Sequence, residues 1–500
     1  MSGVNGKQFL ALLEVDKIQG YVFATNKLRE IRGASSLLSE INEVETLKIL
    51  KKKYSSAECP ILSVGGMTKV VFDNKDDTQA RAFLNEMERV YRERLISASV
   101  TTHIEPINGD FPSALSKGEK AIRVKKESKQ YSFQLNTSPY YKRCSLCGIY
   151  PAVKKSWDQY DEKYDWLCAS CLAKREQKVK LKIDGEIIKK FKEEDKKVDD
   201  FPYQLSQIGK VSQKEGYMGF IMADANRMGE KLRKIKSPEE LSQFAGKFAE
   251  INQQCLIDAI CNAFKNTNLE GNLLPVNILI FGGDDTVMVT TADTAIKIAV
   301  EYCEKFQKCT QNVLSDEISI SAGVVIAKDS YPINSYIALG EELLKLAKRK
   351  NRHCLATDKK EETGTIDYKV VTASSAEPIR ITRYKEEYYQ RNGDEFYLTS
   401  KPYTLEDMKK LVSFCVRFKE SNFPRNKIKS LEKILRLGRE TSILEFSTLK
   451  SRLPEKQERL MNDFLQQFKL VNQMPWKKDG NRYETNLLDL VEIYDFCEKE

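Results

Sequence analysis

Short apolar runs rich in β-branched residues alternate with longer amphipathic stretches along this chain, and the two periodicities together predict an α+β fold. The order is clearest from residue 217 onward. Residues 217–223 (YMGFIMA) are an unbroken apolar run, predicting a buried strand that ends on Asp224. Residues 238–264 carry a helical period, as one long helix or two, with Ser237-Pro238-Glu239-Glu240 as the start signal. Two apolar runs, 276–280 and 287–289, flank Gly282-Gly283-Asp284-Asp285 and predict a hairpin turning there. A helix over 294–313, a strand over 318–327 and a helix through 341–348 follow. Strand, helix, hairpin, helix, strand is the βαββαβ order of a ferredoxin-like unit.

The first third repeats the pattern. Residues 9–15 form a strand pattern meeting Asp16, and 26–53 are helical in period. Residues 61–72 predict a hairpin with a double glycine, Gly65-Gly66; a helix over 78–95 and a strand over 96–104 complete the unit. Duplication at this scale predicts two similar domains packed together. In this copy Asp16 is read in the place of Asp224, and Met67 and Thr68 in the places of the two hairpin aspartates. The first unit is therefore expected to keep a nucleotide-shaped backbone and to lack metal chemistry. The last hundred residues are helical in pattern, with an apolar stripe at Met408, Leu411, Val412, Phe414 and Cys415. They carry no chemical motif and read as a packing domain. The expected division is 1–130, a degenerate first unit; 131–200, an insertion and charged linker; 201–370, the active unit; and 371–500, a helical domain.

Candidate chemistry concentrates at the second hairpin. Asp224, Asp284 and Asp285 are hard oxygen ligands suited to Mg²⁺ or Mn²⁺. Gly282 and Gly283, lacking Cβ atoms, let backbone approach a polyphosphate closely. If their strands are neighbours, the three acids converge as two-metal phosphoryl transfer requires. Taken alone, the hairpin also fits a solvated turn that merely contains glycine and aspartate. Cys144, Cys147, Cys168 and Cys171 form two C-x₂-C knuckles, the spacing of a closed Cys₄ structural zinc site. A disulfide pair and a redox dithiol both rank below zinc: the twelve cysteines include eight scattered singly, and no secretory signal is apparent. A cytoplasmic protein is expected, and no apolar run reaches transmembrane length. Five hundred residues imply several domains, and the formal net charge of +9 suits nucleotide or RNA binding without diagnosing either. The mixed-sign segment 174–197 reads as a solvated helical linker. Only His103 and His353 exist, which leaves no basis for a histidine-dependent hydrolase.

From Asp224 through the GGDD hairpin to Ala347-Lys348 the chain resembles the palm domain of nucleotidyl cyclases. It is similar to GGDEF-type diguanylate cyclases and closer to the tandem-palm large subunit of type III CRISPR effector complexes. That subunit carries GGDD and an Asp motif ending in Met-Gly or Leu-Gly, matched here by Asp224 and Met228-Gly229. Asn226 departs from the family's usual second aspartate. Residues 27–38 resemble the first-palm helix of the same subunit, and a cysteine knuckle often lies between its palms. The resemblance implies two Mg²⁺ or Mn²⁺ ions on Asp224, Asp284 and Asp285. It also implies a triphosphate held by Gly282, Gly283, Lys348 and Arg352, with Gly65 and Gly66 on the degenerate palm. It implies ATP as substrate, a cyclic oligoadenylate as product, and guide or target RNA and other CRISPR effector subunits as partners. Lacking clustered His and Asp, the chain resembles a form without the HD nuclease. A non-catalytic RNA-binding scaffold and a diguanylate cyclase remain open beside it.

Overall fold

The computed structural model describes residues 7–54, 62–129, 140–179, 181–267, 269–314, 317–358, 362–372, 383, 385–470 and 475–497. The first sheet holds β1 (Lys7–Asp16), β2 (Leu62–Val64), β3 (Met67–Asn74) and β4 (Ser99–Ile107), in the order β2-β3-β1-β4 with every neighbour antiparallel. Its helices are α1 (Ile18–Val22), α2 (Leu28–Ser39), α3 (Thr46–Lys53), α4 (Thr78–Leu95) and α5 (Phe111–Ser128); a π-helical stretch, Glu40–Glu45, joins α2 to α3. The α5 helix starts where Asp110 accepts a hydrogen bond from the Ser113 amide, with a proline in the first turn.

A small insertion follows. It contains β5 (Lys154–Asp158) antiparallel to β6 (Lys163–Leu167), then α6 (Ala169–Glu176) and α7 (Lys182–Glu193), and α8 (Leu205–Val211) leads on to the second sheet. The linker reading of this stretch is corrected here, because α6 and α7 are packed elements. Ile183, Ile187 and Phe191 are buried, and so are Lys174, Arg175 and Asp184. Arg175 lies between Glu30 (2.5 Å), Asp165 (2.8 Å) and Asp158 (3.3 Å), so its charge enters the interior already paired. Arg32, on the basic face of α2, is likewise buried against Asp184 at 2.5 Å. The α2 and α6 helices meet so closely that a Cβ on Gly33 would stand 2.0 Å from the Lys174 carbonyl oxygen.

The second sheet repeats the first and extends it. It contains β7 (Tyr217–Ala225), α9 (Met228–Leu232), α10 (Pro238–Ala263), β8 (Val276–Gly282), β9 (Asp285–Thr291), α11 (Ala292–Leu314), β10 (Ile320–Lys328), α12 (Ile333–Asp358) and β11 (Thr365–Val370). The strand order β10-β7-β9-β8 matches β4-β1-β3-β2, again antiparallel. β11 adds a parallel strand beside β10, completely buried, which the repeat pattern did not anticipate. β7 reads as a continuous apolar run because both its faces are covered. Ile221, Ala223 and Ala225 face the core containing α10 and α11, while Met218, Phe220 and Met222 face a core shared with the first sheet, its helices and α12.

The C-terminal region is mostly helical, with helices at Leu405–Glu420, Arg425–Leu435, Arg439–Ser451, Glu455–Gln467 and Leu487–Ile493. It also contains short strands: β12 (Tyr388–Arg391), β13 (Asp394–Tyr397), β14 (Tyr403–Thr404), β15 (Lys477–Asp479) and β16 (Arg482–Glu484). Four of these form a sheet ordered β12-β13-β16-β15, and β14 caps the palm sheet at β11. Among the described residues no helix is long and apolar enough to cross a membrane.

Candidate functional site

Period-two geometry fixes where the acids point. Asp224 follows Met222 on β7 and therefore shares the face turned toward the first palm. On β9, Val287 and Val289 share that face, and so does Asp285. Asp224 and Asp285 are direct cross-strand partners, with Ser321 opposite Asp224 on the other side. Gly283 and Asp284 form the two-residue turn, and Gly283 takes the left-handed conformation (φ 62°) that favours glycine.

Burial raises the Asp224 carboxyl to about 6; the Lys348 charge opposes the shift and the Asp284 charge adds to it. Asp285 is pushed up to about 7 by the protein around it and by the charges of Asp224 and Asp284. Its side chain is open to solvent, which weakens the contributions of burial and of like charge alike and leaves the direction upward. Lys348, on α12, forms an ion pair with Asp224 and reaches the Ala225 carbonyl at 3.4 Å. A single ammonium thus spans a carboxylate and the next backbone carbonyl, while two further acids stand beside it. This donor set fits a hard divalent cation: all ligands are oxygen, and the negative charge is under-compensated. The three aspartates are not drawn tightly together. Among the described residues only the four cysteines have all their ligand atoms within 4.8 Å of one another. Arg352 lies one helical turn beyond Lys348, exposed, and donates to the Lys348 carbonyl rather than to the acids.

A buried triad that the sequence reading missed holds the hairpin. Asn252, on α10, donates to the Gly283 carbonyl at 3.1 Å. Tyr302, on α11, donates to the Asn252 side-chain oxygen and lies 3.1 Å from the Thr286 hydroxyl. The first palm has the same triad: Tyr91 donates to Asn42 and shares a hydrogen bond with Thr68.

That triad, with the strand register, corrects the equivalence of the two palms. Thr68 matches Thr286, so Gly66 and Met67, rather than Met67 and Thr68, stand where Asp284 and Asp285 stand. Met67 pairs with Glu14 as Asp285 pairs with Asp224, which puts Glu14, not Asp16, in the place of Asp224. Asp16 corresponds instead to Asn226. Asp16 accepts from Ser99 (2.8 Å) and Thr101 (2.7 Å), while Asn226 bonds Ser319 (2.7 Å) and Ser321 (2.9 Å) at matching positions. The next residues, Lys17 and Arg227, are both left-handed. Asp16 is therefore a buried structural acid. Burial alone would raise it, and hydrogen bonds from Lys129, Thr101 and Ser99 lower it overall. Asn226, bonded on both sides, is a brace in the strand ends rather than a lost ligand. Even the lysine is repeated: Lys126 lies 2.5 Å from Glu14 and 3.3 Å from the Val15 carbonyl. The first palm thus retains one acid and its lysine and lacks the two hairpin acids.

The palms meet at these hairpins. A Cβ on Gly65 would lie 3.2 Å from the Gly282 carbonyl carbon and oxygen. Ser35, on α2, donates to the Leu279 carbonyl on β8, while α10 packs on β2 in return. Away from this seam, Cys144, Cys147, Cys168 and Cys171 converge at the base of the β5–β6 hairpin as free thiols, three of them buried. Four sulfurs at this spacing could hold a metal such as zinc. His103, on β4, pairs with Glu105 at 2.9 Å, away from the hairpin tips.

Residues 217–356 match the family model described as Cas10/Cmr2, second palm domain. No curated protein matches the sequence. Among solved structures, the chain is similar to a Csm1–Csm4 cassette in complex with pppApApA, at 14% identity and a TM-score of 0.55, covering 99% of this chain and 71% of that one. It is also similar to Csm1 of T. onnurineus, at 13% identity and a TM-score of 0.54, covering 98% and 70%. At these identities the likeness is one of fold. The family model thus marks residues 217–356 as a Cas10/Cmr2-type second palm, and the solved structures show that the chain shares the fold of Csm1.

Proposed function

We propose that the chain is a metal-dependent nucleotidyltransferase that converts ATP to a cyclic oligoadenylate-type second messenger, releasing pyrophosphate, in CRISPR-type antiviral defence in the cytoplasm. The observation that carries this reading is the Asp224–Asp285 pair, with Lys348 upon it, on the palm face that meets a second palm. A ribose 3′-hydroxyl would attack the α-phosphate of a second nucleotide. A new P–O bond forms, the α–β phosphoanhydride bond breaks, and the hydroxyl proton passes to solvent as pyrophosphate departs. Two Mg²⁺ or Mn²⁺ ions held by Asp224, Asp284 and Asp285 would supply the charge neutralisation and Lewis acidity of two-metal phosphoryl transfer.

The chain's own residues account for the rest. Lys348 would turn from Asp224 to the triphosphate, with Arg352 one turn further on, and the Gly282-Gly283 backbone would lie against the phosphates. The Asn252–Tyr302–Thr286 triad keeps the turn in place. The first palm, through Gly65 and Gly66, would present the acceptor nucleotide. The Csm1–Csm4 cassette bound to pppApApA supports adenylate chemistry and a partner subunit for this chain as well. The matched strand order supports a ferredoxin-like unit in each palm. On this reading residues 1–130 and 201–370 are the palms, 131–200 the zinc-knuckle insertion and 371–500 the C-terminal domain. The zinc is structural, since four thiolates leave no open position.

The test is incubation of purified protein with each labelled NTP and Mg²⁺ or Mn²⁺, with and without RNA. ATP alone should yield cyclic product, and Asp284→Ala with Asp285→Ala should abolish it in a folded chain. Pyrophosphate release by the folded double variant would remove this site from the reaction. Absence of product under every condition would favour a scaffold.

A further inference from the structure

The β5–β6 hairpin presents a face that a solvent-exposed sheet rarely shows. Strand alternation turns Ser156, Asp158, Asp165 and Leu167 one way and Lys155, Trp157, Tyr164 and Trp166 the other. The first set faces the protein: Asp158 and Asp165 are buried against Arg175, and Leu167 is buried beside the cysteines. The second set faces out. Trp157 is 48% exposed and Tyr164 59% exposed, their ring centroids 4.9 Å apart. Lys155 stands 4.6 Å above the Tyr164 ring, and exposed Lys142 stands 4.9 Å above that of Trp166. Three aromatic rings and two lysines therefore share one outward surface, mounted on the cysteine knuckle.

We propose that this face binds single-stranded RNA, by stacking unpaired bases on Trp157, Tyr164 and Trp166 and neutralising phosphates with Lys142 and Lys155. Rings interleaved with cations are the combination that holds single strands, because every base offers a π-face and every linkage a negative charge. The lysines argue against a protein partner, since lysine is depleted at the centre of protein–protein interfaces. Duplex RNA is disfavoured because its bases are already stacked on one another. The buried Arg175 network and the four cysteines hold the hairpin's inner face, which leaves the outer rings free of a packing duty toward the palms. The inference does not depend on nucleotidyl transfer at Asp224 and Asp285.

The experiment is fluorescence anisotropy of the full chain with a labelled single-stranded 20-nucleotide RNA of mixed sequence, and with the same RNA as a duplex, over a salt series. Trp157→Ala with Tyr164→Ala should weaken single-strand binding at least about ten-fold, with little effect on the duplex. Lys142→Gln with Lys155→Gln keeps the rings and should lower the log–log salt slope by about 1.4. Metal content and circular dichroism of each variant establish that the knuckle is folded. Unchanged single-strand affinity in both folded variants would overturn the proposal. So would equal weakening toward duplex and single strand, or loss of a protein partner with RNA binding intact.

Discussion

Asp224 and Asp285 face each other with one lysine to share, and their carboxyls stand at about 6 and about 7, above the ordinary aspartate value. A carboxyl raised in the folded state holds a proton that the unfolded chain has released. The stability it contributes is therefore present near pH 4 and lost as pH rises toward 7. Asp285→Asn should remove that loss. In chelator at pH 8 it should melt about 1–3 °C above the unsubstituted protein, a gain of about 1 kcal/mol after discounting for exposure. Near pH 4, where the loss has barely begun, the two should melt together. Mn²⁺ should raise the melting temperature of the unsubstituted chain at pH 8 and do little for the variant. A variant that melts lower at pH 8 without metal would show that Asp285 stabilises the fold by some other contact. At this scale the sequence was legible in the two knuckles, whose four cysteines the fold brings together, and in the expectation that the strands of Asp224 and Asp285 are neighbours. It misled where equivalence depends on register. Asp16 and Asp224 both end apolar strands, yet the Ser99/Thr101 and Ser319/Ser321 pairs show a two-residue offset that only strand pairing reveals.

Elements with a strong period were readable, and those held by buried polar contacts were not. The helix expected over 78–95 is observed as Thr78–Leu95, and the stretch 238–264, expected as one helix or two, is the single helix Pro238–Ala263, because an apolar stripe and a clear start marked them. The stretch 174–197, the end of α6 and all of α7, reads as solvated linker because its charges look like a surface; in fact Lys174 and Arg175 are buried against α2, and Ile183, Ile187 and Phe191 of α7 are buried as well. The strands of the C-terminal sheet span three or four residues, too few for an alternation to register. The coupling of α6 to the cysteines makes a prediction. Cys171 lies in α6, the element that packs against Gly33 and carries Arg175 to Glu30. Cys171→Ser should release the metal, about one zinc per chain by elemental analysis, and lower the melting temperature by several degrees. A chain that never held metal and melts unchanged after the substitution would rule out a structural role for the cluster.

For the whole molecule the decisive feature is that two unequal palms touch at their hairpin tips. Gly65 sits in the left-handed region (φ 60°) directly against the Gly282 backbone, so the tip of the degenerate palm is a wall of the acidic site. This contact gives the first palm a role in geometry even without the two hairpin acids. Gly65→Ala introduces a Cβ 3.2 Å from the Gly282 carbonyl, a separation that neither backbone can relieve by turning a side chain. The expected result is displacement of Gly282 and Gly283, and with them Asp284 and Asp285. The yield required at 3.2 Å is a few tenths of an ångström, and since about 1 Å in positioned groups costs up to about a hundred-fold in rate, a loss of about three-fold is expected. Backbone strain alone has to be separated from this, since alanine in the left-handed region costs about 1–2 kcal/mol wherever it lies. Gly109 provides the control: it has φ 82°, belongs to the same palm, and would place its Cβ in open space. Gly65→Ala and Gly109→Ala should therefore lose similar stability by thermal melting. Only Gly65→Ala should lose nucleotide-product formation, by about three-fold. If both variants keep full activity, or lose it equally, the hairpin contact does not transmit position from one palm to the other, and the first palm serves the second only as packing.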